Sequence, residues 1–179
     1  MNRNELLTLI PKGLIWVELG VFEGEFSKKI FEIAKPKELH LVDIFPTSMI
    51  SGDKDGKNIK ILNLTNIPNI LMDYFKNKNV FIHKCTTVEF LENAKKASMY
   101  IDVVYIDADH SYNAVMMDLD KSYDILSKNG YICGHDYNET LFPEVFKAVN
   151  DFCTKHSLNI EVKTDDLLPS FLIKLKEDK

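Results

Sequence analysis

Cysteine is scarce in this chain of 179 residues: Cys85, Cys133 and Cys153 are widely spaced, and no two form a CxxC pair. An odd, scattered set of this kind gives neither a disulfide framework nor a zinc site, so all three read as small buried apolar residues. Long hydrophobic runs are missing too. The run "LLTLI" (Leu6–Ile10) near the start is too short for a signal segment or a spanning helix, so no membrane association and a cytosolic location are expected. Lysine and arginine form no run interleaved with aromatics, and the net charge is -5, which excludes the electrostatic footprint of a nucleic-acid or anionic-membrane binder. Internal repeats and low-complexity linkers are also absent, and only "SGDKDGKN" (51–58) reads as an exposed loop. What remains is an apolar share of 45%, ordinary for one globular domain over residues 1–179 that handles small molecules.

Short apolar runs recur at "LIWVELG", "ELHLVDIF", "NVFIHK", "DVVYIDA" and "GYICGHD", with helically spaced segments between them. This alternation predicts an α/β fold, a Rossmann-like, mostly parallel sheet with helices on both faces. Val115, Leu119, Tyr123 and Leu126 predict a helix from Tyr112 to Lys128, stopped by Asn129 and Gly130. "LNIEVKT" and "SFLIKLK" are separated only by "DDLLP", too little for a crossover helix, so the last strand should be antiparallel.

The stretch "WVELGVFEGEFSKKI" (16–30) is a strand, a glycine turn and a helix, placed where open parallel sheets bind ligands. Gly20 and Gly24 lack the middle glycine of a dinucleotide site, and Glu18, Glu23 and Glu25 would repel a diphosphate. The glycines would let the backbone approach a ligand closely, and the acids would attract one carrying a sulfonium and an ammonium group, as S-adenosylmethionine does. Asp43 closes the second strand about 20 residues beyond the turn, where an acid can bond an adenosine ribose.

"IDADHSY" places Asp107, Asp109 and His110 after the fourth strand, and "CGHDY" places His135 and Asp136 after the fifth. Carboxylates from neighbouring strand ends suit a hard divalent cation such as magnesium, which would hold an acceptor hydroxyl and lower its pKa. The imidazole of His135 would shift the preference toward manganese, iron or zinc, or leave the position without metal. His110, three residues after Asp107, is the candidate general base, with opposing influences leaving its pKa near the ordinary value. Tyr112 and Tyr137 flank these residues and would either stack on a ring or pack in the core.

"VELGVFEGEFS" resembles the first motif of class I S-adenosylmethionine-dependent methyltransferases, and "YIDADHSYNAVMMDLDKSYDILSKNGYICGHDY" resembles the hallmark block of the methyltransferase 24 type family. That family is similar to the metal-dependent macrocin-type sugar O-methyltransferases. The resemblance covers roughly residues 15–152 and implies a methyl-transferring enzyme with S-adenosylmethionine as cofactor. It implies that Glu18, Gly20 and Gly24 line the methionine side, Asp43 the ribose, and the loop near Cys85 and Thr86 the adenine. The acid that many class I enzymes carry in that loop is missing from "HKCTTVEF" before Glu89. The sugar enzymes use an acid at the position of Asp107, here assigned to cofactor, metal and catalysis, and an acidic pair where this chain has His135 and Asp136. The implied acceptor is a hydroxyl of a sugar or glycoside, and a homodimer is compatible with this reading. A nicotinamide oxidoreductase and a non-catalytic cofactor-binding module are the rival readings.

Overall fold

The computed structural model describes residues 1–51 and 60–176. A sheet of seven strands forms its centre. In spatial order these are β5 (Val80–Lys84), β2 (Glu38–Asp43), β1 (Ile15–Leu19), β6 (Ile101–Ile106), β7 (Leu126–Gly134), β9 (Phe171–Lys174) and β8 (Ile160–Lys163). The first five pair in parallel, whereas β9 inserts antiparallel between β7 and β8. The short connection before β9 therefore leads to an antiparallel pair, as chain length alone requires.

Helices cover both faces. The side chains of each strand alternate between two apolar clusters, so a fully buried strand such as β6 is almost continuously apolar. Val17 and Leu19 of β1 pack with α4 (Thr87–Lys96), α5 (Tyr112–Ile125) and α6 (Pro143–His156). Trp16 and Tyr105 face the other way, toward α1 (Arg3–Leu6), α2 (Glu25–Lys29) and α3 (Ile67–Tyr74). Glu18 shares that second face because it lies two residues from Trp16 along the strand.

Two local expectations are corrected. The helix expected to reach Lys128 ends at Ile125, and Leu126 to Lys128 already belong to β7. Leu126 pairs with Ile101, and Asp102 accepts the Ser127 hydroxyl at 2.9 Å, so sheet pairing overrides the helical spacing. Asn129, at φ 60°, takes up the irregularity inside the strand instead of stopping a helix. The expected loop "SGDKDGKN" begins inside a strand, since its Ser51 closes β3 (Ser48–Ser51), paired antiparallel with β4 (Lys60–Asn63). The rest of "SGDKDGKN", residues 52–58, lies outside the described residues.

Asp102 also pins the start of β1: its Oδ2 accepts the Ile15 N–H at 2.9 Å while Oδ1 holds Ser127. One carboxylate thus ties three adjacent strands at the end opposite the glycine turn. Asp102→Ala should lower unfolding free energy by about 1–3 kcal/mol, since it strands two part-buried donors. Urea denaturation checks this, and an unchanged midpoint would contradict it.

Candidate functional site

The carboxyl ends of four parallel strands stop at nearly the same level. Backbone bonds carry the pairing one residue past each: Gly20 N–H to Val42 O at 2.9 Å, Asp107 N–H to Leu19 O at 2.8 Å, and His135 N–H to Ile106 O at 3.1 Å. Gly20, Asp43, Asp107 and His135 are therefore neighbours by register alone.

The glycines serve the protein before any ligand. A Cβ on Gly20, which has φ 88°, would lie 2.0 Å from the Asp107 carbonyl oxygen, and one on Gly24, at φ 77°, would lie 2.3 Å from a Leu71 methyl. The close approach expected between a bound molecule and this backbone is thus first an approach of β6 and α3 to the turn. A valine at position 20 would damage the fold and cannot report on ligand binding alone. Asp43 holds the same turn: its Oδ2 accepts the Val21 and Phe22 N–H groups at 2.8 and 3.0 Å, and its Oδ1 accepts Phe45 N–H at 2.7 Å. Phe22 is thereby kept at φ 54°, a left-handed conformation seldom adopted by an aromatic residue.

Two cavities lie over these strand ends. One, of about 470 Å³, runs from Gly20 and Asp43 past Ile44 and Cys85 to Thr86 and Asp118. The other, of about 480 Å³, is bordered by Arg3, Glu18, Gly24 and His110. They share Gly20, Phe22, Met49, Asp107 and Ala108 as a common wall. Every residue expected to line a cofactor, Glu18, Gly20, Gly24, Asp43, Cys85, Thr86 and Asp107, borders one or both. Thr86 also caps α4, accepting the Glu89 N–H at 3.2 Å.

Glu18 is only 1% exposed and takes a hydrogen bond from Ser27. Burial, reinforced by Asp107, pushes its carboxyl up to about 8, against the pull of Ser27 and Arg3. Glu18 is accordingly protonated at neutral pH in the absence of a cationic partner.

Arg3, the sole arginine in the chain, enters the site from α1. Its Nη2 meets Asp107 Oδ2 at 2.5 Å, its Nε donates to the Tyr105 hydroxyl at 2.7 Å, and its guanidinium lies 3.6 Å from the centre of the Phe26 ring. Sequence reasoning missed it, although one arginine among so many lysines is a usable signal for planar recognition. Asp118 was missed as well. It lies on the buried face of α5 with Val115 and Leu119, a polar interruption of an apolar stripe.

Asp107, His110 and Asp136 offer ligand atoms all within 4.8 Å of one another. His110 Nε2 is 3.0 Å from Asp136 Oδ2 and 3.9 Å from Asp107 Oδ1, and its ring meets Phe142 edge-on. These carboxylates raise the imidazole to about 9, which corrects the expectation of an ordinary pKa. Asp109 accepts the Ser111 N–H, and α5 starts from Ser111 as its cap. Burial alone would raise Asp136, but His110 and His135 outweigh it and hold the carboxyl well below the usual range. His135 Nδ1 lies 3.3 Å from Asp136 Oδ1 and 3.8 Å from Asp107 Oδ2, at the rim of the group. Tyr112 and Tyr137 pack against α6 through Asp151 and Asn150, so the packing alternative holds for both.

The donor set fits a divalent cation in one respect: among the described residues, Asp136 Oδ1 is buried without a hydrogen-bond partner. Two carboxylates and an imidazole suit manganese, iron or zinc better than magnesium.

This strand order and this placement of acids define a Rossmann-like methyltransferase fold, and the comparisons agree. A pattern described as "Methyltransferase domain" matches residues 17–137, and the chain belongs to that methyltransferase 24 family. Over 148 residues it is 31% identical to the uncharacterized protein R132 of Acanthamoeba polyphaga mimivirus, covering 80% of this chain and 61% of that protein. The chain thus spans less than two thirds of the relative it matches. Among solved structures, the N-methyltransferase NodS from Bradyrhizobium japonicum WM9 in complex with S-adenosyl-L-homocysteine superposes with a TM-score of 0.67, at 12% identity over 97% of this chain and 84% of that one. The O-methyltransferase NovP gives a TM-score of 0.63 at 16% identity, covering 97% and 79%. Among the described residues no helix is long and apolar enough to cross a membrane.

The shift of Glu18 carries a sign. Its pKa is higher folded than unfolded, so its favourable contribution is full below about 4.5 and is lost as pH rises through about 8. Thermal melts of the ligand-free protein from pH 5 to 8 should fall more steeply for the wild type than for Glu18→Gln, and parallel slopes would refute the assignment.

Proposed function

We propose that the protein transfers a methyl group from S-adenosylmethionine to a hydroxyl of a small acceptor, a sugar or a glycosylated metabolite. The observation that carries the reading is the pair of adjoining cavities that meet at Gly20, Phe22 and Asp107. A ligand with an adenosine half and an amino-acid half fits such a pair, whereas a dinucleotide would place its diphosphate beside Glu18, Glu23 and Glu25. Family membership and the S-adenosyl-L-homocysteine bound in NodS support the same donor.

Each residue takes its role from its position. Asp43 retains one acceptor site, on Oδ1, for a ribose hydroxyl beyond its three backbone bonds, because each oxygen carries two lone pairs and Oδ2 already takes two bonds. Glu18 would give up its proton to hold the ammonium, and Arg3 offers a guanidinium fork at the same end for the carboxylate. The bound sulfonium supplies a methyl carbon that leaves sulfur with its electron pair behind and bonds to the acceptor oxygen as that oxygen loses its proton. Asp107 and His110 stand on the acceptor side of Gly20, and we assign His110, which the two carboxylates keep protonated at neutral pH, to holding that oxygen and Asp107 beside it to receiving the proton. A divalent cation, manganese in preference to magnesium, held by Asp107 and Asp136 with His110 or His135 beside them, would lower the pKa of the acceptor hydroxyl. The acceptor walls come from α1, β3 with its half-exposed Met49, and the segment from Tyr137 to Phe142. The net charge of -5, with no basic run interleaved with aromatics, supports a small-molecule acceptor over nucleic acid, and the short apolar runs support a cytosolic, membrane-free setting.

The deciding experiment combines calorimetry with transfer of labelled methyl. S-adenosylmethionine and S-adenosylhomocysteine should bind and NAD should not, and label should enter a panel of sugar nucleotides and glycosides in a divalent-dependent manner. Equal affinity for NAD would remove the donor assignment. Full turnover in excess EDTA would remove the metal and leave the donor standing.

His110→Ala should cost on the order of 10² to 10⁴ in turnover while donor affinity changes little, as loss of a group acting at the acceptor oxygen does. Wild-type turnover in that variant would return His110 to a purely structural role.

A further inference from the structure

We infer that Asp118 recognises the exocyclic amine of the donor's adenine, supplying from α5 the acid that the loop after β5 lacks. The assignment rests on the cavity accepting an adenosine group, as proposed above, and adds which atom of the base is read and by what.

Asp118 is 2% exposed, yet it borders the cavity at the end remote from Gly20. Keeping a carboxylate away from water costs several kcal/mol unless donors satisfy it. Only one donor is present: the Thr87 hydroxyl reaches Oδ1 at 2.6 Å, and among the described residues Oδ2 has no hydrogen-bond partner. A carboxyl in this setting has a vacancy for a hydrogen-bond donor, and the vacancy borders the cavity.

The rest of that end determines what the donor is attached to. Val42, Ile44, Pro46, Cys85 and Ala114 make apolar walls, suited to the faces of a flat ring. The hydroxyl of Thr86 is engaged by the Glu89 N–H, and that of Thr87 donates to Asp118 itself. Asp109 also borders the cavity, but it is exposed to water and accepts the Ser111 N–H, so the buried carboxylate acceptor left for a ring edge is Asp118 Oδ2. Burial raises this carboxyl only to about 6, so at neutral pH it is ionised and accepts through both oxygens. An amine at C6 of a purine satisfies it, and a carbonyl at C6 would set oxygen against oxygen.

The test compares two ligands by calorimetry: S-adenosylhomocysteine, and the same molecule with unsubstituted purine in place of adenine, which lacks the amine and keeps every ring nitrogen. Wild-type protein should prefer the adenine ligand by about tenfold to a hundredfold, the range for a hydrogen bond to a charged group. Asp118→Ala should lose that preference, through weaker binding of the adenine ligand and unchanged binding of the purine ligand. Asp118→Asn keeps one acceptor oxygen and should show an intermediate ratio. Equal wild-type affinity for the two ligands overturns the inference without any variant, as does a ratio that survives in Asp118→Ala. Failure of the wild type to bind either ligand would overturn the cofactor reading and this assignment with it, an outcome distinct from binding both equally.

Discussion

A Cβ on residue 20 would stand 2.0 Å from the carbonyl oxygen of Asp107, so β1 and β6 can leave the sheet side by side only because that position is glycine. The arrangement of the site depends on this contact. It lets the Asp107 N–H bond to Leu19 O, which extends the parallel ladder one residue past both strands and sets Asp107 beside the turn. On the other side, the Gly20 N–H bonds to Val42 O, which brings Asp43 under the same turn to receive the Val21 and Phe22 N–H groups. Phe22 at φ 54° is held there by those bonds, and such strain persists only where the surroundings over-determine it. The two cavities share a wall at Gly20 and Phe22 because this turn is the ridge between them.

Carboxylates gather at the strand ends faster than cations do, and the protein neutralises each by a different route. Asp43 is satisfied by backbone N–H groups, Glu18 by keeping its proton, Asp107 by Arg3, and Asp136 by His110. Coulomb repulsion between like charges a few ångströms apart in a partly desolvated site would otherwise amount to several kcal/mol. The routes differ in how easily a ligand can replace them. Backbone donors do not move, so Asp43 has a fixed role. A proton on Glu18 yields readily to an ammonium group, and a guanidinium on Asp107 can exchange that carboxylate for another. Among the described residues, the second cavity, where those exchangeable partners lie, combines cationic and anionic groups on one wall.

The five parallel strands were legible because each is a short apolar run with β-branched residues, and the antiparallel ending because a connection of a few residues forbids a crossover. The residues at the strand ends were legible for the same reason, since register fixes the position of the residue just past each strand. The features that escaped came from elements whose place depends on packing. Arg3 sits on a four-residue helix that no periodicity reveals, and it reaches the site because α1 packs on the Trp16 face of the sheet. The end of α5 was misplaced because Asn129 and Gly130 are a stop signal in a helix but a bulge in a strand, and only pairing with Ile101 decides between them. Asp118 left a trace, a carboxylate in the buried stripe of an amphipathic helix, whose meaning appears only once α4 brings Thr87 against it.

The two members of the His110–Asp136 pair differ in how much the protein covers them. His110 keeps 41% of its side chain exposed, whereas Asp136 behind it keeps 6%. On the proposed reading, the group that contacts an acceptor is at the surface, and the group that orients it is buried. An exposed imidazole held by two carboxylates gains strength as water is excluded, because the effective dielectric falls. Here the exclusion has to come from the acceptor itself, together with Phe142 on one side and Met49 on the other, since both lie at the edges of the open site. On the proposed reading, a bulky acceptor would cover the site more completely than a small one, so the reach of α1, β3 and the segment around Phe142 would set the useful size of substrate. The chemistry proposed would then be built on rigid strand ends, and selection among acceptors would fall to the shorter elements around them.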